Sequence, residues 1–319
     1  MVEAIVSIRN AVRPFLQKLE AGDSFLVAVS GGADSLALAY ALFIESQPLA
    51  LNPVAVTVDH QLQENSGKQA LKVSEQLKEI GYVQIHIKKV VVASQSNIEA
   101  DARDVRYQAL VQCAQEAQAK EIFLGHTFND QAETVLLGLA RGSGTRSLSG
   151  MAEVNQQFIR PLLSITREET ERACAEVGLE IWNDPHNLNN DFTRVRVRRE
   201  VIPFLESHLD AGISKALVRT AALARDDADA LDQWAEREAA TLNLADIDCE
   251  YLAALPKAIR TRILRLAAAA AGVTPGSLTF EQIRAIEALI SAWSGQGAVS
   301  LAGGVKVERI SGRLSLSTQ

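Results

Sequence analysis

A chain of 319 residues predicts about two domains, at roughly 100–200 residues each, with room for a sizeable core and an enclosed pocket. Its 47% hydrophobic and 22% charged residues, with eight prolines, exclude bulk disorder. A formal charge of −7 argues against an indiscriminate nucleic-acid coat protein, since such binding comes from neutralising many phosphates, but leaves room for a local basic patch.

The first segment, MVEAIVSIRNAVRPFLQKLE, has no basic stretch followed by a long apolar run, and no run of about 18 apolar residues follows anywhere, so the expected setting is the cytoplasm, with no membrane partner. Next comes a strand, SFLVAVS (24–30), that runs through Gly31 and Gly32 directly into the helical pattern LALAYALFIE. Further strands are expected at PVAVTVD (53–59), QIHIKKV (84–90) and EIFLGH (121–126), separated by helical stretches around KQALKVSEQLKEIG and EADARDVRYQALVQCAQEAQA. Strand alternating with helix implies parallel strands with helical crossovers, hence an α/β fold with a doubly wound parallel sheet whose ligands lie at the carboxyl ends of the strands. Beyond Pro203 the pattern turns to Ala-, Leu- and Arg-rich helix, and AVSLAGGVKVERISGRLSLS closes the chain as a small β meander. The expected division is therefore 1–205 for a catalytic α/β domain and 206–319 for a smaller, mainly helical C-terminal domain.

The junction Ser30-Gly31-Gly32-Ala33-Asp34-Ser35 is an anion cradle: glycines allow a tight turn and close ligand approach, and the positive end of the new helix attracts phosphate. It lacks the lysine of a Walker loop, and its spacing does not fit G-x-G-x-x-G. The pattern SGGxDS after a first strand resembles the pyrophosphatase loop (PP-loop) of enzymes that split ATP into AMP and pyrophosphate. That resemblance implies ATP binding by Ser30, Gly31, Gly32, Ala33, Asp34 and Ser35, with Mg²⁺ held in part by Asp34, since the ion prefers carboxylate and phosphate oxygens.

Further segments narrow the resemblance. VDHQLQENS (58–66), NIEADARDVRYQAL (97–110), GHTFNDQAETVLLGLARGSGTRSLSGM (125–151), IRPLLSITREE (159–169), WNDPHN (182–187) and RVRVRREVIP (194–203) follow, in order, the motifs of tRNA(Ile)-lysidine synthases, which they resemble. Departures from those motifs fall at Gln63, Thr127, Asn129, His186 and Val195. The resemblance implies that the wobble cytidine of a CAU anticodon in tRNA(Ile) is adenylated and then joined to L-lysine at C2, giving lysidine, AMP and pyrophosphate and switching codon reading from AUG to AUA. It adds Asp59 and His60 to the nucleotide site and Arg106 to the cations that stabilise the phosphates. A homodimer is left open.

His126, Asp130 and Glu133 stand at i, i+4 and i+7, which on a helix is one face. This face is expected to bind metal through Asp130, to serve the adenylate or amine through His126, and to receive the lysine amine at Glu133, because a free lysine amine must lose a proton before it attacks. In RVRVRR, alternation places Arg194, Arg196 and Arg198 on one side of an extended segment, and with Arg199 they form the expected tRNA contact; Arg260, Arg262 and Arg265 are either an extension of it or the solvated side of a helix. Trp182, Trp234 and Trp293 are expected in the core, and Cys113, Cys174 and Cys249 as idle buried thiols. The alternative is a PP-loop tRNA thiolase, which delivers sulfur to the activated base and calls for paired cysteines that these scattered positions do not supply.

Overall fold

The computed structural model describes residues 3–59, 66–90, 98–142, 144–182 and 190–318. The chain divides into compact units at Ala222/Leu223.

The first unit begins with α1 (Ala4–Leu16), whose buried Ile5, Ile8, Val12 and Leu16 recur at three- and four-residue spacing and form one apolar stripe. It is followed by β1 (Ser24–Ala28), α2 (Ala33–Ser46), β2 (Asn52–Asp59), α3 (Ser66–Ile80), β3 (Gln84–Lys89), α4 (Ile98–Glu116), β4 (Ala119–Leu124), α5 (Phe128–Ala140) and the short α6 (Thr145–Leu148). A hairpin of β5 (Val154–Asn155) and β6 (Phe158–Ile159) precedes α7 (Arg167–Glu176), α8 (Thr193–Arg196), a π-helical turn over Val197–Val201, α9 (Ile202–His208) and the long α10 (Ile213–Ala239). The strands form a sheet in the order β3-β2-β1-β4-β6-β5, parallel except for the edge strand β5.

Alternation along β1 divides the core. Phe25 and Val27 join Leu36, Leu42, Ile8, Leu16 and Leu77 on the face covered by α1, α2, α3 and α7. Leu26 and Ala28 join Val54, Val56, Leu110, Cys113 and Leu124 on the face covered by α4. Helices on both faces make the sheet doubly wound, as the strand and helix order predicts. Because β2 lies on one side of β1 and β4 on the other, the connections reverse direction between β1 and β4, and a crevice opens beyond their carboxyl ends.

The second unit holds the remainder of α10, β7 (Asp246–Asp248), α11 (Cys249–Ala254), α12 (Lys257–Ala270), α13 (Phe280–Ser291), β8 (Val299–Ser300), β9 (Val305–Ile310) and β10 (Arg313–Thr318). The expected meander is present, and β7 extends it into an antiparallel sheet ordered β7-β10-β9-β8. Val305, Val307, Leu314 and Leu316 point from it onto Leu252, Ile263, Ile286 and Leu289. By compactness the division falls inside α10, with α9 and the first turns of α10 clustering with the sheet domain.

Some expectations here give way to the structure. Arg260 is buried and pairs with Glu287 at 2.5 Å, and Arg262 pairs with Asp232 at 2.5 Å, so the basic positions on α12 do not form one solvated stripe. Trp234 and Trp293 are partly exposed, not core; the Trp234 indole donates to Glu238, and the Arg309 guanidinium lies 5.5 Å from the Trp293 ring centre. No helix among the described residues is long and apolar enough to cross a membrane.

Candidate active site

The crevice beyond β1 and β4 collects most of the residues singled out by sequence. After β1 the Val29 N–H still donates to Val56 O, and then the chain turns sharply. The Ser30 N–H donates to Ser35 Oγ at 3.1 Å, and the Ser35 hydroxyl donates to the Gly32 carbonyl at 3.0 Å, so the loop closes over the first turn of α2. Gly31 has φ +90°, and a Cβ there would lie 2.7 Å from Val73 Cγ2 on α3. Its carbonyl accepts the Trp182 N–H at 2.9 Å. Gly125, just past β4, lets the second loop approach the first, since a Cβ there would lie 3.0 Å from the Asp34 carbonyl.

Asp34 sits in the first turn of α2. The Thr170 hydroxyl lies 2.5 Å from its Oδ1, and Arg167 Nε lies 3.4 Å from its Oδ2. Burial raises its pKa above the usual 3.8, and the Arg167 charge and the Thr170 hydrogen bond offset this only in part.

The expected single helical face of His126, Asp130 and Glu133 is only partly realised. Thr127 caps α5 and the helix starts at Phe128, so His126 belongs to the loop before it, while Asp130 and Glu133 share the helix. Asp130 uses Oδ2 to accept both the Thr127 N–H and the Thr127 hydroxyl, at 2.9 and 3.0 Å. Its Oδ1 faces Arg167, Arg194 and Arg198 at 3.3–3.4 Å. Burial opposes ionisation of Asp130, but the charges of Arg194 and Arg167 prevail and lower its pKa to about 2. For His126, burial is the largest influence, reinforced by Arg106, Arg160 and Arg194, and its pKa falls to about 3 against the pull of Asp130. The imidazole is therefore neutral near pH 7, and its buried Nδ1 has no hydrogen-bond partner among the described residues.

Glu133 is not open to an incoming amine. It is 1% exposed, and its oxygens accept from Arg194 Nε at 2.8 Å, Arg198 Nε at 2.5 Å and Arg198 Nη2 at 3.1 Å. The two arginines converge on it because RVRVRR is not extended, as its alternation suggests, but helical, from α8 into the π-helical turn. A helix puts Arg194 and Arg198 on one face and Arg196 on another. Arg194 and Arg198 reach into the site, whereas Arg196 donates to the Asn190 and Asp191 carbonyls and Arg199 to Asn190 Oδ1.

Arg106, on α4, holds no hydrogen bond or ion pair among the described residues, and burial lowers its pKa. Asp59 is buried at the carboxyl end of β2. His60, Gln63 and His186 lie outside the described residues. The departures at Thr127 and Asn129 have a structural account: Thr127 supplies the cap of α5, and Asn129 Oδ1 accepts the Arg167 N–H at 3.0 Å. Val195 is buried. Sequence reasoning missed Gly125, Arg167 and Thr170, although Arg167 lies within IRPLLSITREE, Thr170 follows it directly, and the Thr166–Glu169 capping box marks a helix start there.

Cys113 and Cys174 are buried on opposite faces of the sheet, and Cys249 is buried in the second unit. Burial raises the pKa of each, that of Cys174 to about 12. None is an exposed thiolate at neutral pH.

Comparison with known proteins places the chain in a family. A family model described as a PP-loop domain matches residues 5–205, and one described as a TilS substrate binding domain matches residues 247–315. A tRNA(Ile)-lysidine synthase of Thermobifida fusca is 45% identical over 315 residues, covering 98% of this chain and 97% of that protein. A second, of Streptomyces coelicolor, is 48% identical over 294 residues, covering 91% of this chain and 84% of that protein. Among solved structures, the U34-tRNA thiolase NcsA of Methanococcus maripaludis, with its 4Fe-4S cluster, superposes with a TM-score of 0.54 at 18% identity over 68% of this chain and 78% of that one, a likeness of fold alone. With the ATP-binding loop, the second family model and relatives matched over nearly their whole length, the chain is a tRNA-modifying ligase and belongs to the tRNA(Ile)-lysidine synthase family.

Proposed function

We propose that this chain joins L-lysine to C2 of the wobble cytidine in the CAU anticodon of tRNA(Ile), by way of an adenylated tRNA. The observation that supports it best is the meeting of the Ser30–Ser35 loop with Asp34, Asp130, His126 and Arg106 at the reversal point of the sheet. In the first step cytidine O2 attacks the α-phosphorus of ATP and pyrophosphate leaves. The loop amides at the start of α2 receive that pyrophosphate, and Arg106 offsets charge that builds on the phosphates.

Asp34 and Asp130 fit a Mg²⁺ ion. Each has one oxygen committed to the fold, by Thr170 and by Thr127; the other faces Arg167 in both, and on Asp130 it also faces Arg194 and Arg198. Hard carboxylate oxygens of this kind suit Mg²⁺, which supplies charge neutralisation of the phosphates during adenylation.

In the second step the lysine side-chain amine attacks C2, and AMP leaves with the former O2. Neutral His126 can accept a hydrogen bond from the attacking amine, but its depressed pKa makes it too weak a base to keep the proton, which passes to the departing AMP or to solvent. Glu133 acts at one remove, by holding Arg194 and Arg198 beside Asp130.

The test supplies purified protein with ATP, Mg²⁺, L-lysine and an isoleucine tRNA bearing CAU. Nuclease digestion and mass spectrometry should find a lysine adduct on the wobble cytidine, with AMP and pyrophosphate released. A variant with Cys113, Cys174 and Cys249 replaced by alanine should retain the reaction. Sulfur on the base, or loss of activity in a folded cysteine-free variant, would replace this reading with the thiolase.

A further inference from the structure

The cation shared by Asp34 and Asp130 is part of the chain. Arg167, the first residue of α7, places Nε 3.4 Å from Asp34 Oδ2 and Nη2 3.4 Å from Asp130 Oδ1. Both separations exceed the roughly 2.7–2.9 Å of a charge-assisted hydrogen bond, so each carboxylate holds the guanidinium loosely. The backbone at this point is anchored independently of that side chain. The Arg167 N–H donates to Asn129 Oδ1, the Phe128 N–H donates to the Ile165 carbonyl, and Thr166 and Glu169 close the capping box of α7. The side chain can therefore exchange partners without moving the helix.

Arg194 and Arg198 also face Asp130 Oδ1, but both are clamped by Glu133, and among the described residues Arg167 alone pairs with both carboxylates. A guanidinium and a divalent ion cannot both fill the gap that Arg167 bridges, since like charges repel. The nearest new anion available to a displaced Arg167 is the phosphate that arrives with the metal, and the planar fork of guanidinium donors matches phosphate oxygens. We propose that Arg167 is a phosphate-binding residue of the adenylation step, which holds the metal position between Asp34 and Asp130 until Mg–ATP enters and then exchanges the carboxylates for the nucleotide's phosphate oxygens. The proposal rests on the reading of Asp34 and Asp130 as metal ligands. Its consequence is a pair of opposed effects: Arg167 competes with the metal alone and favours the metal–nucleotide complex.

The experiment uses Arg167→Gln with Mn²⁺ as probe, the free ion counted by electron paramagnetic resonance, and α,β-methylene ATP with Mg²⁺ titrated by calorimetry. The Kd for Mn²⁺ alone should fall about tenfold, and the Kd for the Mg²⁺–nucleotide analogue should rise about tenfold, each equivalent to one decade in the binding constant. Arg167→Lys keeps the charge but loses the fork and should shift both constants in the same directions by less, which also serves if the Gln variant folds poorly. A residue that merely supports the fold would weaken both affinities together, and that result, or unchanged nucleotide affinity, overturns the proposal. Asp34→Asn separates the two ideas. If it leaves Mn²⁺ binding intact, the metal reading fails; if it abolishes Mn²⁺ binding while Arg167→Gln does not tighten it, only the proposal for Arg167 fails.

Discussion

Gly31→Ala isolates the steric demand of the phosphate loop. The residue has φ +90°, where a side chain costs about 1–2 kcal/mol. The new Cβ would also lie 2.7 Å from Val73 Cγ2, in a core where Val73 is fully buried, and forced overpacking costs about 1–3 kcal/mol more. The expected loss is thus about 2–5 kcal/mol, a large part of a typical domain's 5–15 kcal/mol. Val73→Ala alone removes the opposing methyls at a cost of about 2 kcal/mol in lost burial. In that background Gly31→Ala should cost only the backbone part, leaving a coupling of about 1–3 kcal/mol. The assay is urea unfolding followed by Trp182 fluorescence, with Trp234 and Trp293 replaced by Phe, since Trp182 bonds directly to the Gly31 carbonyl. Equal effects of Gly31→Ala with and without Val73, or an unshifted transition in the single variant, would refute the reasoning.

Asp34→Asn should abolish pyrophosphate release yet raise the unfolding midpoint at neutral pH. The sign follows from its raised pKa: the protonated form favours the fold, so that stabilisation is present below the ordinary 3.8 and is lost as pH rises through the higher folded value. A midpoint lowered at pH 7 in the Asn variant would contradict it. For His126, whose pKa lies near 3, the imidazole resonances should show no titration between about pH 5 and 8 by nuclear magnetic resonance; an inflection near the usual 6.5 would mean that the side chain is solvated. Replacing Arg196 and Arg199 by Gln should flatten the salt dependence of tRNA binding by up to about one unit of slope for each phosphate that is no longer neutralised. Arg194→Gln or Arg198→Gln should instead depress turnover with little change in that slope, because these side chains are engaged with Glu133 and Asp130. Identical slopes for both pairs would remove the distinction.

Much of the α/β unit is legible because its signals are local. Short β-rich runs such as 24–30 and 53–59, a glycine-rich strand-to-helix junction and a parallel order of elements lead from residues to a crevice with little freedom. The errors arise where a local pattern has two readings. RVRVRR alternates like a strand, yet Arg194 and Arg198 are also four apart, and in the helix both reach the buried Glu133 carboxylate, which no local pattern reveals. His126 fits the helical spacing of Asp130 and Glu133, but the Thr127 cap starts the helix too late to include it. Arg167 passes unnoticed because its importance comes from two carboxylates distant in sequence, Asp34 and Asp130, which meet only once the sheet reverses. Arg260 looks like surface charge until α13 brings Glu287 against it.

The division of labour between the oxygens of Asp130 bears on how this sequence can drift. Asn at that position retains one acceptor but surrenders the charge that gathers three arginines, while Glu carries the charge but shifts the acceptor away from the Thr127 cap. Either close relative of the side chain therefore forfeits helix start or charge centre. Thr127 and Asn129 each meet a requirement that several polar side chains satisfy, a cap in one case and a single acceptor in the other. Both are among the positions at which this chain departs from the motifs it resembles.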